Sequence, residues 1–259
     1  GETKGKILSE VENHILKITI SNPSKRNAFD PDMMLQLSNA LTELDVNPDL
    51  WVGVLTAEGE HFTAGLDMPK FFGPGATPTP IPEENVSVFG LGKTCSKPIV
   101  TAMQGISFTI GIEMALAGDI IIAADDCRFC QMEAKRGIAP LGGAHFRYVS
   151  RSGWGNAMYH LMLCDEFCAE EAYRVGLVQE VVASGTQIER AMEIARIISQ
   201  NAPLGIQATK AAGRKYIEAG ESSAVNAIDD IRAKVMNSQD AKEGIQSFVE
   251  RRAAVFVGE

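Results

Sequence analysis

No run in this sequence is apolar for the roughly 20 residues that a membrane-spanning helix requires. The opening segment "GETKGKILSE" also lacks the apolar stretch of a secretory signal. The expectation is a cytoplasmic protein, or a matrix-type one if a targeting piece was trimmed ahead of residue 1. Positive charge is in deficit: the formal net charge is −9, so neither nucleic acid nor an anionic membrane is an expected partner. Histidine is scarce, and His61, His145 and His160 stand without a Ser or Cys partner pattern, which points to structural or surface roles. The five cysteines are an odd set in apolar sequence and read as reduced thiols. Cys127-x-x-Cys130 and Cys164-x-x-x-Cys168 invite a zinc reading. The first pair, however, flanks strand-like Arg128-Phe129 and no histidine follows at ligand spacing, so no metal site is expected. G-x-S-x-G, Walker A, H-E-x-x-H and a helix-opening G-x-G-x-x-G are all missing.

What is there is a chain of 259 residues, 45% apolar, long enough for one large domain or a domain with an appendage. "HILKITI" alternates like a half-buried strand, and the turn-rich "SNPSKRNAFDP" follows it. Asp30-Pro31 opens a helix, with an acid at the N-cap, proline at the first position and Met34, Leu37, Leu41 and Leu44 along one face. "WVGVLTA", "KPIVTAMQG", "DIIIAAD" and "GLVQEVV" are short apolar runs without alternation, the mark of a parallel sheet covered on both faces. Residues 69–85 are dense in Pro, Gly and Thr and read as a mobile surface loop. From about residue 187 the periodicity turns helical, through "DAKEGIQSFVERRAAVF", where Asp240 and Glu243 suggest an N-terminal capping pair. The architecture expected is α/β: a spiral of strands and helices followed by a helical C-terminal part.

One residue stands out chemically. "GISFTIGIEMALAGD" places Glu113 in apolar surroundings, one turn inside a helix that should begin near Thr109 or Ile110 and stop at Gly118. A buried carboxyl is costly unless paired or used. The first turn of such a helix offers free N–H groups and a positive dipole end, which can stabilise an anion or a growing oxyanion. Glu113 lies three residues after Ile110 and projects from the same face. Complementing the helix dipole is an equally good account from this segment alone. The Ala-Gly turn in "EHFTAGLDMPK" could present a second backbone donor, and Glu133 lies in "FCQMEAKRGIAPLGG"; each alone reads as an ordinary loop feature.

Taken in order, "NPSKRNAF", "HFTAGLD", "KPIVTAMQG" with the Glu113 helix, "FCQMEAKRGIAPLGG", "AEEAYRVGLVQEVV" and "EGIQSFVERR" resemble the crotonase superfamily of acyl-CoA enzymes, typified by enoyl-CoA hydratase. The likeness covers nearly the whole chain. It implies a spiral of β-β-α repeats over 1–197 carrying an acyl-CoA site. It also implies a C-terminal helical trimerisation region over 198–259, with assembly as a homotrimer or a hexamer built as a dimer of trimers. By the same resemblance the backbone N–H groups of Leu66 and Ile110 form the oxyanion hole, and Glu113 and Glu133 are the acid/base pair flanking an α,β-unsaturated thioester. The resemblance further implies that Lys25, Arg26, Ala28, Ala64 and Asp67 bind coenzyme A or the rest of the substrate, that Phe248 packs near the adenine, and that Arg251 reaches the ligand from a neighbouring subunit. No separate cofactor is implied, since coenzyme A belongs to the substrate.

The resemblance implies an enoyl-CoA hydratase in the first place. A Δ3,Δ2-enoyl-CoA isomerase using Glu133 alone, or another reaction of the superfamily, is the alternative. A non-catalytic acyl-CoA-binding protein is an alternative of another class. Where hydratases usually carry Gly-Gly-Gly this chain has Thr109-Ile110-Gly111, and Met132 and Leu141 replace a usual proline and glycine. These changes are expected to reshape the acyl pocket, with the branched side chain restricting the backbone at Ile110.

Overall fold

The computed structural model describes residues 3–259, so the first two residues of the expected 1–197 core lie outside it. Nine strands are formed among the described residues: β1 (Lys6–Glu12), β2 (Ile15–Ser21), β3 (Val52–Ala57), β4 (Ile99–Met103), β5 (Ile106–Phe108), β6 (Ile120–Ala124), β7 (Arg128–Cys130), β8 (Phe167–Cys168) and β9 (Glu180–Val182). The helices are α1 (Pro31–Val46), α2 (Met68–Phe72), α3 (Ile110–Ala117), α4 (Ala144–Ser152), α5 (Trp154–Leu163), α6 (Ala169–Val175), α7 (Gln187–Ser199), α8 (Pro203–Asn226), α9 (Ile228–Met236) and α10 (Gln239–Glu250).

Two sheets stack along the spiral. The larger runs β1-β2-β3-β4-β6-β9 and the smaller β5-β7-β8. Successive turns of the chain add one strand to each, as β4 then β5, and β6 then β7. The runs expected to be covered on both faces are so: every residue of β3 and β4 is buried. One face of the larger sheet packs with α1, α3 and the smaller sheet around Ile18, Ile20, Phe62 and Leu116. The other face packs under α7 through Val52, Val54, Val100, Ala191 and Ala195. The sheet is not wholly parallel, because β1 pairs antiparallel with β2 through a turn in which Asn13 takes φ 52. Largely exposed and interrupted by acids, "KILSEVE" lacks the apolar pattern of its neighbours and is an edge strand.

Local signals set most element ends. Asp30 caps α1 by accepting from the Met33 N–H at 2.8 Å, with Pro31 following it. The segment 69–85 contributes only α2 to regular structure and otherwise runs irregularly. Gly220, at φ 83, breaks α8 where the sequence divides two helical patterns. The C-terminal capping expectation is corrected. Ser238, not Asp240, caps α10 by accepting from Ala241 N–H at 3.0 Å. Asp240 instead accepts from the N–H groups of Val257 and Gly258, both at 2.8 Å, and Glu243 holds Arg252 and the Val255 N–H. The helix therefore ends at Glu250 rather than running into "AAVF", and the two acids pin the tail that folds back.

Candidate active site

Glu113 lies on α3 in the first helical turn and is 2% exposed. Its Oε2 accepts from the Ala144 N–H at 3.1 Å, at the start of α4. Gly142 provides the room: a Cβ there would come within 2.6 Å of the carboxyl carbon. Burial dominates the electrostatics and lifts the Glu113 pKa to about 7. The N–H donors of Ala144 and Gly142 and the cation of Arg147 pull against that rise, while the negative field of Glu133 adds to it.

Glu133 begins a 3-10 turn (Glu133–Arg136) closed by Gly137 in the left-handed region at φ 79. Its Oε1 accepts from Gln131 Nε2 at 2.9 Å, and its Oε2 is buried with no partner among the described residues. Burial raises its pKa as well. Gln131 is itself oriented by the buried Tyr148, whose hydroxyl donates to Gln131 Oε1 over 3.3 Å. Glu133 thus acts on Glu113 from a different segment, and each carboxyl is held by one oxygen. A pair of this kind retains a proton near neutral pH.

The two backbone donors named from the sequence carry this geometry further. Gly65 and Thr109 are in contact, since a Cβ on Gly65 would fall 2.8 Å from Thr109 Oγ1. The residues that follow them, Leu66 and Ile110, line one cavity of about 750 Å3. Among the described residues neither N–H meets a protein acceptor. Met34, Phe71, Val88 and Phe89 are among the apolar residues of its wall. The glutamates do not line it; α3 makes the connection, with Ile110 in the wall and Glu113 one turn along.

The unusual backbone at the Thr109–Ile110 departure falls on Thr109 rather than on Ile110. Ile110 enters the helix normally and buries its side chain, and it is Thr109 that adopts φ 49, ψ −107, a sparsely populated region for a β-branched residue. Its N–H donates to Cys130 O at 3.0 Å, which ties the start of α3 to the strand leading into Glu133. Met132 and Leu141 do not line the cavity, and Leu141 is 78% exposed, so of the three departures only the Thr109–Ile110 one reshapes this wall.

Of the residues assigned to coenzyme A, five come together. The Ala64 N–H donates to Arg26 O at 2.9 Å, Phe29 N–H to Gly65 O at 2.9 Å, and Asp67 N–H to Phe29 O at 2.8 Å. The loop carrying Lys25, Arg26 and Ala28 therefore runs beside the Ala64–Asp67 turn. Phe248 is 84% exposed near the end of α10, and Arg251 caps that helix. Neither makes a hydrogen bond or ring contact with the loop among the described residues. His61 accepts from the Ile106 N–H, and buried His160 bridges Asp165 and Glu171, both structural tasks. Four thiols are buried and Cys168 is exposed. No helix among the described residues is long and apolar enough to cross a membrane.

Sequence inspection missed Gln131, Gly142, Ala144, Arg147 and Tyr148. None of them carries a local signal, since Glu133 already stands in a turn rather than in the strand that ends at Cys130.

A two-sheet spiral with a buried carboxyl beside a helix start is the architecture of the crotonase superfamily, and this chain has that fold. A family model described as enoyl-CoA hydratase/isomerase matches residues 10–259. The enoyl-CoA hydratase EchA19 of Mycobacterium tuberculosis is 32% identical over 96% of this chain and 95% of its own length. A crotonyl-CoA hydratase of Syntrophomonas wolfei is 29% identical over 97% of each. The crystal structure of a probable enoyl-CoA hydratase/isomerase from Mycobacterium abscessus superposes with a TM-score of 0.93, at 39% identity, covering 98% of this chain and 99% of that one. The chain belongs to the enoyl-CoA hydratase/isomerase family.

Proposed function

We propose that this protein is an enoyl-CoA hydratase that adds water across the double bond of a 2-enoyl-CoA thioester. The observation that carries the proposal is a pair of desolvated carboxyls: buried Glu113, on the same helix turn as one of two unpartnered backbone donors, with half-buried Glu133 acting on it. With the thioester oxygen at the N–H groups of Leu66 and Ile110, the enolate-like charge grows where donors already point. Such a donor contributes about 3 kcal/mol of transition-state stabilisation. One carboxylate accepts a proton of water while the water oxygen bonds to the β-carbon. The protonated partner delivers its proton to the α-carbon, and proton exchange within the pair restores the starting state. The unpartnered Oε2 of Glu133 suits it to direct contact with the reacting atoms.

Lys25, Arg26, Ala28, Ala64 and Asp67, on the loop and turn that run side by side, would take coenzyme A and the adjoining part of the substrate. Phe248 and Arg251 would join them in a homotrimer or a hexamer built through the 198–259 helices, where Ile217, Ile245 and Phe248 are exposed. Buried reduced thiols suit a cytoplasmic setting.

The test is to mix the purified protein with crotonyl-CoA and with a 3-enoyl-CoA, and to follow enoyl absorbance and product mass. Gain of one water by the first substrate is expected, with large losses in Glu113→Gln and Glu133→Gln. Bond migration in the second without hydration of the first would replace the assignment by an isomerase. Binding without turnover of either would replace it by an acyl-CoA-binding protein.

A further inference from the structure

The wall of the cavity and the seat of Glu113 are joined by one side chain. The segment from Val86 to Lys93 has no regular structure. It is closed by the Ser87 N–H donating to Lys93 O and is anchored to α1 through Ser38 and Thr42. Its tip, which carries the cavity-lining Val88 and Phe89, holds on to α4: Arg147 donates through Nη1 to Phe89 O and through Nη2 to Gly90 O, the latter at 3.0 Å. The guanidinium fits only because glycines lie on both sides. A Cβ on Gly90 would stand 3.0 Å from Nη2, and one on Gly143 would stand 2.8 Å from Nη1. Both glycines have positive φ, 62 and 102. The backbone N–H of Arg147 donates to Gly143 O at 2.9 Å, and the next residue, Ala144, donates to Glu113.

We propose that Arg147 is a specificity-determining and positioning residue, fixing the Phe89 wall of the acyl cavity and the Gly143–Ala144 seat of Glu113 as one unit, for acyl groups long enough to reach Phe89. This rests on the hydratase assignment above. A cavity of about 750 Å3 lies within the roughly 300–1,000 Å3 range of sites for whole small molecules. A crotonyl group, with one methyl beyond its double bond, leaves most of it unfilled and stops short of its far wall; a medium or long apolar acyl chain fills more of it. The planar fork of arginine satisfies two adjacent carbonyls at once, and a lysine ammonium cannot reproduce that geometry. The groups facing Glu113 are Glu133, Arg147 and the N–H groups of Gly142 and Ala144. Those facing Arg147 are Glu113, Arg151 and, from α8, Arg214. The cation favours the ionised form of Glu113, so its removal raises the pH at which Glu113 deprotonates.

The experiment compares kcat/KM for trans-2-decenoyl-CoA and crotonyl-CoA across pH in the wild type, Arg147→Lys and Arg147→Met, each checked by thermal melt. The wild type should prefer decenoyl-CoA. Both variants should lower the decenoyl-to-crotonyl ratio about tenfold, the scale of discrimination set by apolar pocket contacts. Only Arg147→Met should also move the Glu113-dependent limb of the pH profile upward. An unchanged ratio, or equal losses on both substrates with an unmoved limb, would overturn the proposal. If the wild type turns over neither substrate, the hydratase assignment fails. Binding of decanoyl-CoA and butyryl-CoA then tests Arg147 independently: loss of the wild-type preference in the variants supports the wall-fixing role, and retention refutes it.

Discussion

Replacing Glu113 by glutamine should stabilise the protein, and by an amount that depends on pH. A carboxyl whose pKa is raised from 4.5 to about 7 by burial binds its proton more readily in the folded than in the unfolded chain. Between those values the native state holds more protons, so unfolding free energy falls as pH rises, and the cost is complete above about pH 7. The shift corresponds to about 3 kcal/mol, an upper figure because Glu133 titrates with it. Glutamine keeps an oxygen for the Ala144 N–H and removes the charge, so the hydrogen bond survives while the desolvation cost disappears. For a chain of this length 1 kcal/mol moves the melting temperature by roughly 2–4 °C. The Glu113→Gln variant should therefore melt several degrees above the wild type at pH 8. The difference should shrink toward pH 4.5, where the native carboxyl is almost fully protonated and the unfolded one is half protonated. Melts from pH 4.5 to 8.5, read by circular dichroism, decide it. A difference that is constant with pH, or a variant less stable at pH 8, would refute the account of Glu113 as a carboxyl strained by burial.

Three further outcomes are expected. Tyr148→Phe frees the Gln131 amide to turn its oxygen toward Glu133, which favours the protonated acid, so the acidic limb of kcat/KM should move to higher pH while substrate KM changes little. Gly142→Ala drives a Cβ into the Glu113 carboxyl and should reduce kcat by at least about 100-fold, the scale of losing one acid/base group, with folding checked by circular dichroism. Thr109→Gly relieves the backbone at φ 49, ψ −107 and removes no side-chain hydrogen bond found among the described residues; it should stabilise by about 1 kcal/mol, measured by urea denaturation.

The parts of the fold that could be read in advance are those where neighbours in sequence are also neighbours in energy. β3 and α1 declare themselves, one as an apolar run and the other by Asp30-Pro31 and a one-sided apolar stripe. β1 does not, because its order comes from pairing with β2 rather than from its own charged residues. Asp240 and Glu243 look like a cap within their own segment, yet their partners lie 9 to 18 residues further along in the folded-back tail.

The site divides in the same way. Glu113 is conspicuous in sequence because a lone acid in "ISFTIGIEMALAG" violates the burial preference of its surroundings, and the first helical turn beside it follows from Thr109 to Gly118 alone. Glu133, between Met132 and Ala134, violates nothing, so only resemblance to the superfamily singled it out. Its pairing with Glu113, the Ala144 N–H that seats one carboxyl, the Gln131–Tyr148 pair that turns the other and the Arg147 clamp on Phe89 were decided by tertiary structure. Their physical reason is shared. Desolvation, coulombic coupling and hydrogen-bond geometry act over a few ångströms in space, and here the spiral brings to that distance segments separated by 17 to 58 residues of chain. The sequence by itself determined that an acid would be buried at a helix start; the packing of α4 and the loop against that helix decided what the acid could do.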